Sequence, residues 1–305
     1  MKSYIYTLLI VAALTIAGNT AATLIVDPYC IMHPLLGEFA FEPNSRYGKV
    51  AFLLKNCARF DTYIAGDSRS EVLSESDFPA VHGGRFYNIA SGGDDIGSIV
   101  KRLEFLIGRG CPIAAVVVGG SLNATLRSSA NGLARREYPG ISGESRSIFY
   151  ARYFLSSQAL MNYVIVLMSA VSHPLRYYAD GHADYMWSMK SDFAEGCAPQ
   201  TPPANNPLPA ELSAYRDFAS LAARNHFKAI VWIAPRRTPR SSPRDSYTGQ
   251  YVAQLRAIPN LSIIEPDLGS PLLADFHYWH DCVHFRRTVF QQLVSPAASE
   301  LLVEP

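Results

Sequence analysis

Two short motifs near opposite ends of the chain hold residue types that can do nucleophilic chemistry together. The first is Gly66-Asp67-Ser68-Arg69, at the end of the apolar run Tyr63-Ile64-Ala65. The second is Asp281-Cys282-Val283-His284. A serine hydroxyl is a poor nucleophile until a base takes its proton. His284 can be that base, and Asp281 can hold the imidazole tautomer and stabilise its charged form. Acyl transfer also needs donors aimed at the developing oxyanion. Ser91-Gly92-Gly93-Asp94 and Gly119-Gly120-Ser121-Leu122-Asn123 each follow an apolar run. They offer the backbone N–H of Gly93 and the side-chain amide of Asn123, beside the N–H of Ser68 itself, as a three-donor hole.

Each motif also has a plainer reading. Gly-Asp-Ser is common in turns, because Asp and Ser bond their own backbone. Asn123 could cap its loop instead of donating to a substrate. Asp67, Arg69 and His280 are candidates for substrate contact, although Arg69 could equally make a structural salt bridge. His277, His280, Asp281 and His284 form an HxxHDxxH cluster. Imidazole is a common metal ligand, so the cluster has a metal reading too. The hydrolytic reading uses Asp281 and His284 without a metal. Tyr278 and Trp279 could stack on a sugar or simply pack.

The elements that must position these residues read as strands alternating with helices. Residues 61–65, 85–90, 113–118, 228–234 and 261–264 are strand-like apolar runs. Asp94 and Asp95 open a helix in which Ile96, Val100, Leu103 and Ile107 recur at helical spacing, with Gly108 and Gly110 at its end. Pro209 starts another, with Leu212, Tyr215, Phe218 and Leu221 on one face. The alternation predicts an α/β fold with a doubly wound parallel sheet between two helical layers. Ser68 and both glycine loops then emerge at the C-terminal edge of the sheet, where such folds bind ligands. A helix starting near Ser70-Glu71 would aim its N-terminus at the same point.

Residues 27–49 read as loop-rich, and residues 126–208 as an insertion. Residues 153–171 within it are apolar but broken by Ser156, Ser157, Gln158 and Asn162. They suit a buried or interfacial helix, or a second membrane segment. Residues 196–209 read as an exposed loop.

With 305 residues, 49% of them apolar, the chain can build one large α/β domain or two small ones. Its net charge is +1 and its Lys and Arg are scattered. That pattern excludes an extended nucleic-acid surface. Residues 4–26 carry no charge and are long enough to span a bilayer, which takes ~20 residues. Lys2 precedes them and Asp27-Pro28 ends them. This predicts a membrane anchor over 1–27 and a domain over 28–305, exported by the positive-inside rule. A cleaved signal peptide is the rival reading, and it also exports the domain. Five cysteines in an exported chain allow one or two disulfides. Cys111, just before the strongest apolar run, reads as a small buried residue.

The serine block, glycine block, asparagine block and terminal Asp-x-x-His, in this order, resemble the SGNH (GDSL) hydrolase superfamily. Gly66-Asp67-Ser68 matches its first block, with Arg69 where many members carry Leu. Ser91-Gly92-Gly93-Asp94 resembles the second, and Asp281-x-x-His284 the last. The third departs: Gly120-Ser121-Leu122-Asn123-Ala124 stands where the family has Gly-x-Asn-Asp. The anchor followed by Val26-Asp27-Pro28-Tyr29 resembles bacterial membrane-anchored SGNH-like proteins, whose relatives include cell-envelope polysaccharide O-acetylation proteins. The resemblance covers about residues 60–123 and 229–294. It implies a flavodoxin-like three-layer fold and a serine esterase or O-acyltransferase, most plainly for acetyl groups, with Ser68, His284 and Asp281 as triad and no cofactor. It also implies a single-pass protein of the bacterial inner membrane, its domain on the periplasmic side. There it would meet an acylated envelope glycan or lipid, or an envelope biosynthesis complex. A non-catalytic assembly or glycan-binding protein keeping the same fold is the alternative it leaves open.

Overall fold

Val116, Val117 and Val118 sit at the middle of a parallel sheet with no exposed face, as their unbroken apolar run requires. The computed structural model describes residues 2–39, 43–78, 85–120, 135–156, 161, 164, 175–185, 208–235, 246–267, 269–281 and 284–303. In chain order its strands are β1 (Gly37–Phe39), β2 (Thr62–Gly66), β3 (Phe86–Asn88), β4 (Ala115–Gly120), β5 (Leu175–Tyr177), β6 (Ala183–Tyr185), β7 (Lys228–Ile233) and β8 (Ser262–Ile264). Five of them form one parallel sheet in the order β3-β2-β4-β7-β8. The chain order reverses at β2, between β3 and β4.

Alternate residues of these strands feed two separate cores. Tyr63, Ala65, Val116, Val118, Val231 and Ile233 face helices α4 (Ile96–Gly108) and α6 (Leu208–Asn225). Ile64, Val117, Ile230 and Trp232 face α7 (Arg287–Leu293) and α8 (Ser295–Val303). Helices therefore cover both faces. The Asp95 carboxylate caps α4 by accepting from Ser98 N at 2.9 Å. Ile96, Ile99, Val100, Leu103 and Leu106 form its buried stripe. Leu103 is fully buried, and Leu103→Ala would cost about 2–5 kcal/mol through lost contacts and the cavity left behind.

Helix α1 (Lys2–Val26) is long and apolar enough to cross a membrane, and most of its side chains are exposed. That is compatible with a single-pass anchor or with a signal sequence. Its C-terminal end is tied to the domain. Asn19 Nδ2 donates to Phe154 O at 2.5 Å, and Tyr153 Oη donates to Asp27 Oδ1 at 2.5 Å. The buried Asp27 carboxylate also accepts from the backbone N–H of Ile31, Met32 and His33, each at 2.8 Å. Phe154 and Tyr153 belong to α5 (Arg146–Phe154), within the expected insertion.

Several expectations are corrected. Residues 27–49 are not merely loop: they hold β1, and helix α2 (Ser45–Asn56) starts there, capped by Asn44 Oδ1 on Tyr47 N at 3.0 Å. The prolines around this cap hide it in the sequence. β1 pairs antiparallel with β5, and β5 with β6, so part of the insertion is sheet. The expected apolar helix over 153–171 begins inside α5, which ends at Phe154; apart from residues 153–156, 161 and 164 that stretch lies outside the described residues, as do residues 196–207. Cys111 is buried, as its place before the apolar run implies, but it is not a free thiol. It is bonded to Cys57, with 5.3 Å between their Cα atoms, because α4 returns the chain to the foot of α2. Cys30 is buried and, among the described residues, bonded to no other cysteine.

Candidate active site

β2 delivers Ser68 to the C-terminal edge of the sheet. Gly66, with φ +131°, turns the chain there; a side chain at this position would strike Ser70 Oγ and stand 3.0 Å from Gly119 N. Asp67 then caps a single helical turn, α3 (Ser68–Glu71), which starts two residues before the helix start expected near Ser70-Glu71 and ends at Glu71. The chain leaves the turn at once because Val72 and Leu73 plug into the core under the sheet. Ser68 is the first residue of the turn.

His284 arrives from the far end of the chain on a hairpin. Trp279 and Phe285 form its closing bridge, and both are buried in the core shared with β2 and β7. Phe285 meets Trp232 edge-on at 5.8 Å. His280 N donates to His284 O at 2.7 Å across the hairpin neck. Packing of two large aromatics thus sets the height of the loop above the sheet.

Three of the expected side chains form one line. His284 Nε2 lies 2.7 Å from Ser68 Oγ. His284 Nδ1 lies 2.6 Å from Asp281 Oδ2, and the other oxygen, Oδ1, accepts His284 N–H at 2.7 Å. A carboxylate on Nδ1 assigns the proton to that nitrogen, so Nε2 presents its lone pair to the serine. His284 and Asp281 are partly buried, at 20% and 29% side-chain exposure. That shields the pair yet leaves the line open to a ligand.

Asp67 and Arg69 find each other. The Arg69 Nη2 and Nε atoms reach the Asp67 carboxylate at 2.5 and 3.1 Å, and Arg69 N donates to it at 3.0 Å. Burial disfavours the charge of Asp67, but the Arg69 guanidinium and the nearby His284 hold its carboxyl below the usual range. Of the two readings of Arg69, the structure gives the salt bridge. Arg69 Nη1 is buried with no hydrogen-bond partner among the described residues. His280 sits on the hairpin with Nδ1 buried and, among the described residues, unpartnered. Burial, then Arg286 and His284, pull its pKa down and so favour the neutral ring.

The glycine block lies beside the serine turn. Ser91 N donates to Gly66 O at 3.1 Å. Asp94 N donates to Ser91 O at 3.0 Å, which closes a β-turn with Gly93 at its third position and φ +67°. The N–H of that position is not used by the turn. Among the described residues, nothing accepts the Gly93 N–H. Asn123 lies outside the described residues.

Of the HxxHDxxH cluster, Asp281 and His284 pair with each other, but the four residues do not converge on one point. His277 Nδ1 pairs with Asp275 Oδ1 at 2.8 Å on an exposed turn, while His284 faces Ser68. Among the described residues, no three His, Cys, Asp or Glu side chains are grouped to hold a metal ion. No model of a known protein family matches the chain, and no curated protein matches it.

Sequence reasoning missed the charges behind this site. Arg46 and Lys49 share the buried stripe of α2 with Val50 and Leu53. Arg102 lies on the buried face of α4, between Ile99 and Leu106. A charge in the apolar register of a helix was the available signal, since such residues are almost never buried unless paired.

Proposed function

We propose that the protein is a serine esterase or O-acyltransferase of the SGNH type, acting on acyl groups, most simply acetyl, carried by an envelope glycan or lipid. One observation carries the reading. Ser68 Oγ, His284 and Asp281 form a line of 2.7 and 2.6 Å contacts at the strand-order reversal of a parallel sheet. Such reversals open a crevice where ligands bind. The sheet order, numbered along the chain, is 2-1-3-4-5, which supports a flavodoxin-like architecture.

In this reading Ser68 Oγ attacks the acyl carbonyl while His284 Nε2 takes the hydroxyl proton. Asp281 holds the imidazolium that results. The carbonyl oxygen gains the negative charge, and the N–H groups of Ser68 and Gly93, with the Asn123 amide as third candidate, receive it. His284 returns the proton to the departing alcohol as the carbon–oxygen bond breaks. An acyl ester on Ser68 remains. Water, or an acceptor hydroxyl, then attacks that ester and gives its proton to His284, which passes it to Ser68 Oγ as the acyl–oxygen bond breaks. Water makes the protein an esterase and a sugar hydroxyl makes it a transferase.

Two observations support an extracytoplasmic domain. The Cys57–Cys111 disulfide suits an oxidising compartment. Helix α1 suits an anchor, and its tie to Asp27 and α5 would hold the site near the bilayer and its polymers. The direct test compares wild-type and Ser68→Ala protein on small acetyl esters and O-acetylated glycans. Turnover by the wild type and its loss in a folded Ser68→Ala variant is the expected result. Equal turnover by both would remove the mechanism, and no turnover or transfer by either would favour a binding role.

A further inference from the structure

Helix α2 touches the glycine turn with three of its first five residues, none of which belongs to the sequence motifs. Ser45 Oγ is hydrogen-bonded to Ser91 Oγ. Lys49 Nζ donates to Ala90 O and is paired with Glu71 Oε1 at 3.2 Å, although it is almost wholly buried. Arg46 Nη2 donates to Gly93 O at 3.0 Å, while its Nε forms an ion pair with Asp94 Oδ1 at 2.9 Å. That second contact is one of charge and proximity more than a directed hydrogen bond.

The carbonyl grip matters because a peptide unit is planar. The Gly93–Asp94 peptide is clamped at both ends: its C=O by Arg46, its N–H by Ser91 O at 3.0 Å. The Gly93 N–H belongs to the preceding Gly92–Gly93 peptide; with the 93–94 plane clamped and the Ser91 O–Asp94 N bond closing the turn at a Gly93 φ of +67°, its direction is held as well. From behind, Arg102 Nη1 donates to Ile89 O at 3.0 Å and to Asp94 Oδ2 at 2.7 Å. Arg46 is 5% and Arg102 0% exposed, so these contacts act without competition from water. A guanidinium is suited to the task, since its planar fork reaches a carbonyl and a carboxylate at once.

We infer that Arg46 is a positioning residue: with Ser45 and Lys49 it makes α2 the element that aims the Gly93 N–H at the substrate oxyanion. The inference rests on the proposed esterase reading and adds a group that touches neither Ser68 nor the acyl carbon. A merely structural ion pair would affect stability alone. A positioning residue also changes kcat, with KM nearly unmoved, because the oxyanion exists only past the ground state.

The test is Arg46→Lys, which keeps one charge and loses the fork. Two readouts are taken on the folded protein: steady-state kinetics on a small acetyl ester, and the amide resonance and hydrogen exchange of Gly93 by 1H–15N NMR. The expected result is a kcat lower by roughly ten- to a hundredfold, short of the loss of a whole oxyanion donor. KM should stay within about twofold, and the Gly93 amide should shift and exchange faster. A wild-type kcat with an unmoved Gly93 signal overturns the inference. Should Arg46→Lys fail to fold, Ser45→Ala, which removes only the hydroxyl against Ser91, takes its place: the same two changes support the inference, and their absence overturns it. Ser68→Ala separates the two levels. If wild type turns over and Ser68→Ala does not, unchanged Arg46→Lys kinetics sink the positioning role alone. If wild type is inactive, the esterase reading fails, and the Gly93 resonance still decides whether Arg46 sets the turn.

Discussion

His284 Nε2 and Ser68 Oγ stand 2.7 Å apart although the residues are 216 positions apart in the chain. Neither residue reaches for the other on a flexible arm. Ser68 caps a strand of the central sheet, and His284 sits in a hairpin whose Trp279 and Phe285 are sunk in the core that also holds Ile64 of that strand. The distance is set by packing, and packing density makes such distances hard to change without cost. The line from Asp281 through His284 to Ser68 therefore lies on a loop and a turn that the folded core holds in place.

Asp281 and His284 should act as one unit. Asp281→Asn is expected to lower kcat by about four orders of magnitude, because an amide at that place favours the wrong tautomer. His284→Ala should cost a similar amount, and the double variant little more than either single one. Kinetics of the three variants on one ester check this. Losses that multiply would show two residues working independently.

Glu211 should give the protein a pH-dependent stability. Its carboxyl is buried beneath Tyr251, which donates to it at 2.8 Å. Burial raises its pKa from 4.5 to about 7. The folded state thus holds this proton more tightly than the unfolded chain. The stability that follows is fully present below about pH 4.5 and is lost as pH rises through about 7. The loss is on the order of 1–3 kcal/mol. Glu211→Gln keeps the acceptor and cannot ionise. Urea unfolding of the detergent-solubilised protein at pH 5 and pH 8 should show the variant gaining at pH 8 and its pH slope flattened. An unchanged slope would place the titration elsewhere.

Removing the cross-link should weaken the domain without touching the site. Cys57 and Cys111 are separated by 54 residues, and closing a loop of that size stabilises by ~4 kcal/mol in the chain-entropy treatment. Cys57→Ser is expected to lower the unfolding midpoint markedly, with kcat of the folded fraction near that of wild type. Equal midpoints for the variant and the parent under oxidising conditions would contradict the bond.

Much of the site is legible in the chain because its chemistry is concentrated in short blocks. Gly66-Asp67-Ser68 had to end a strand, and Asp281 and His284 had to share a turn; the fold brings all of them together. Strands β2, β4 and β7 announce themselves by unbroken apolar runs. What is not legible depends on long-range geometry. Nothing local in Cys57 or Cys111 signals that α2 and α4 end side by side. The cap at Asn44 is hidden among prolines and glycine, so the start of α2 reads as loop, and with it Arg46 and Lys49. Asp67 and Arg69 could each have faced a substrate, and only the fold shows them paired. Asn123, a third oxyanion candidate by sequence, lies outside the described residues.

The central claim is that Ser68 is a nucleophile activated by His284. Labelling with a serine-directed fluorophosphonate, followed by peptide mass analysis, tests it most directly, because the probe reacts only where a serine is activated and needs no knowledge of the natural substrate. The account predicts one adduct, on the peptide holding Ser68, absent from Ser68→Ala and strongly slowed in His284→Ala. An adduct on a different serine, or a folded wild-type protein that takes no label under conditions that label a control serine esterase, would contradict it.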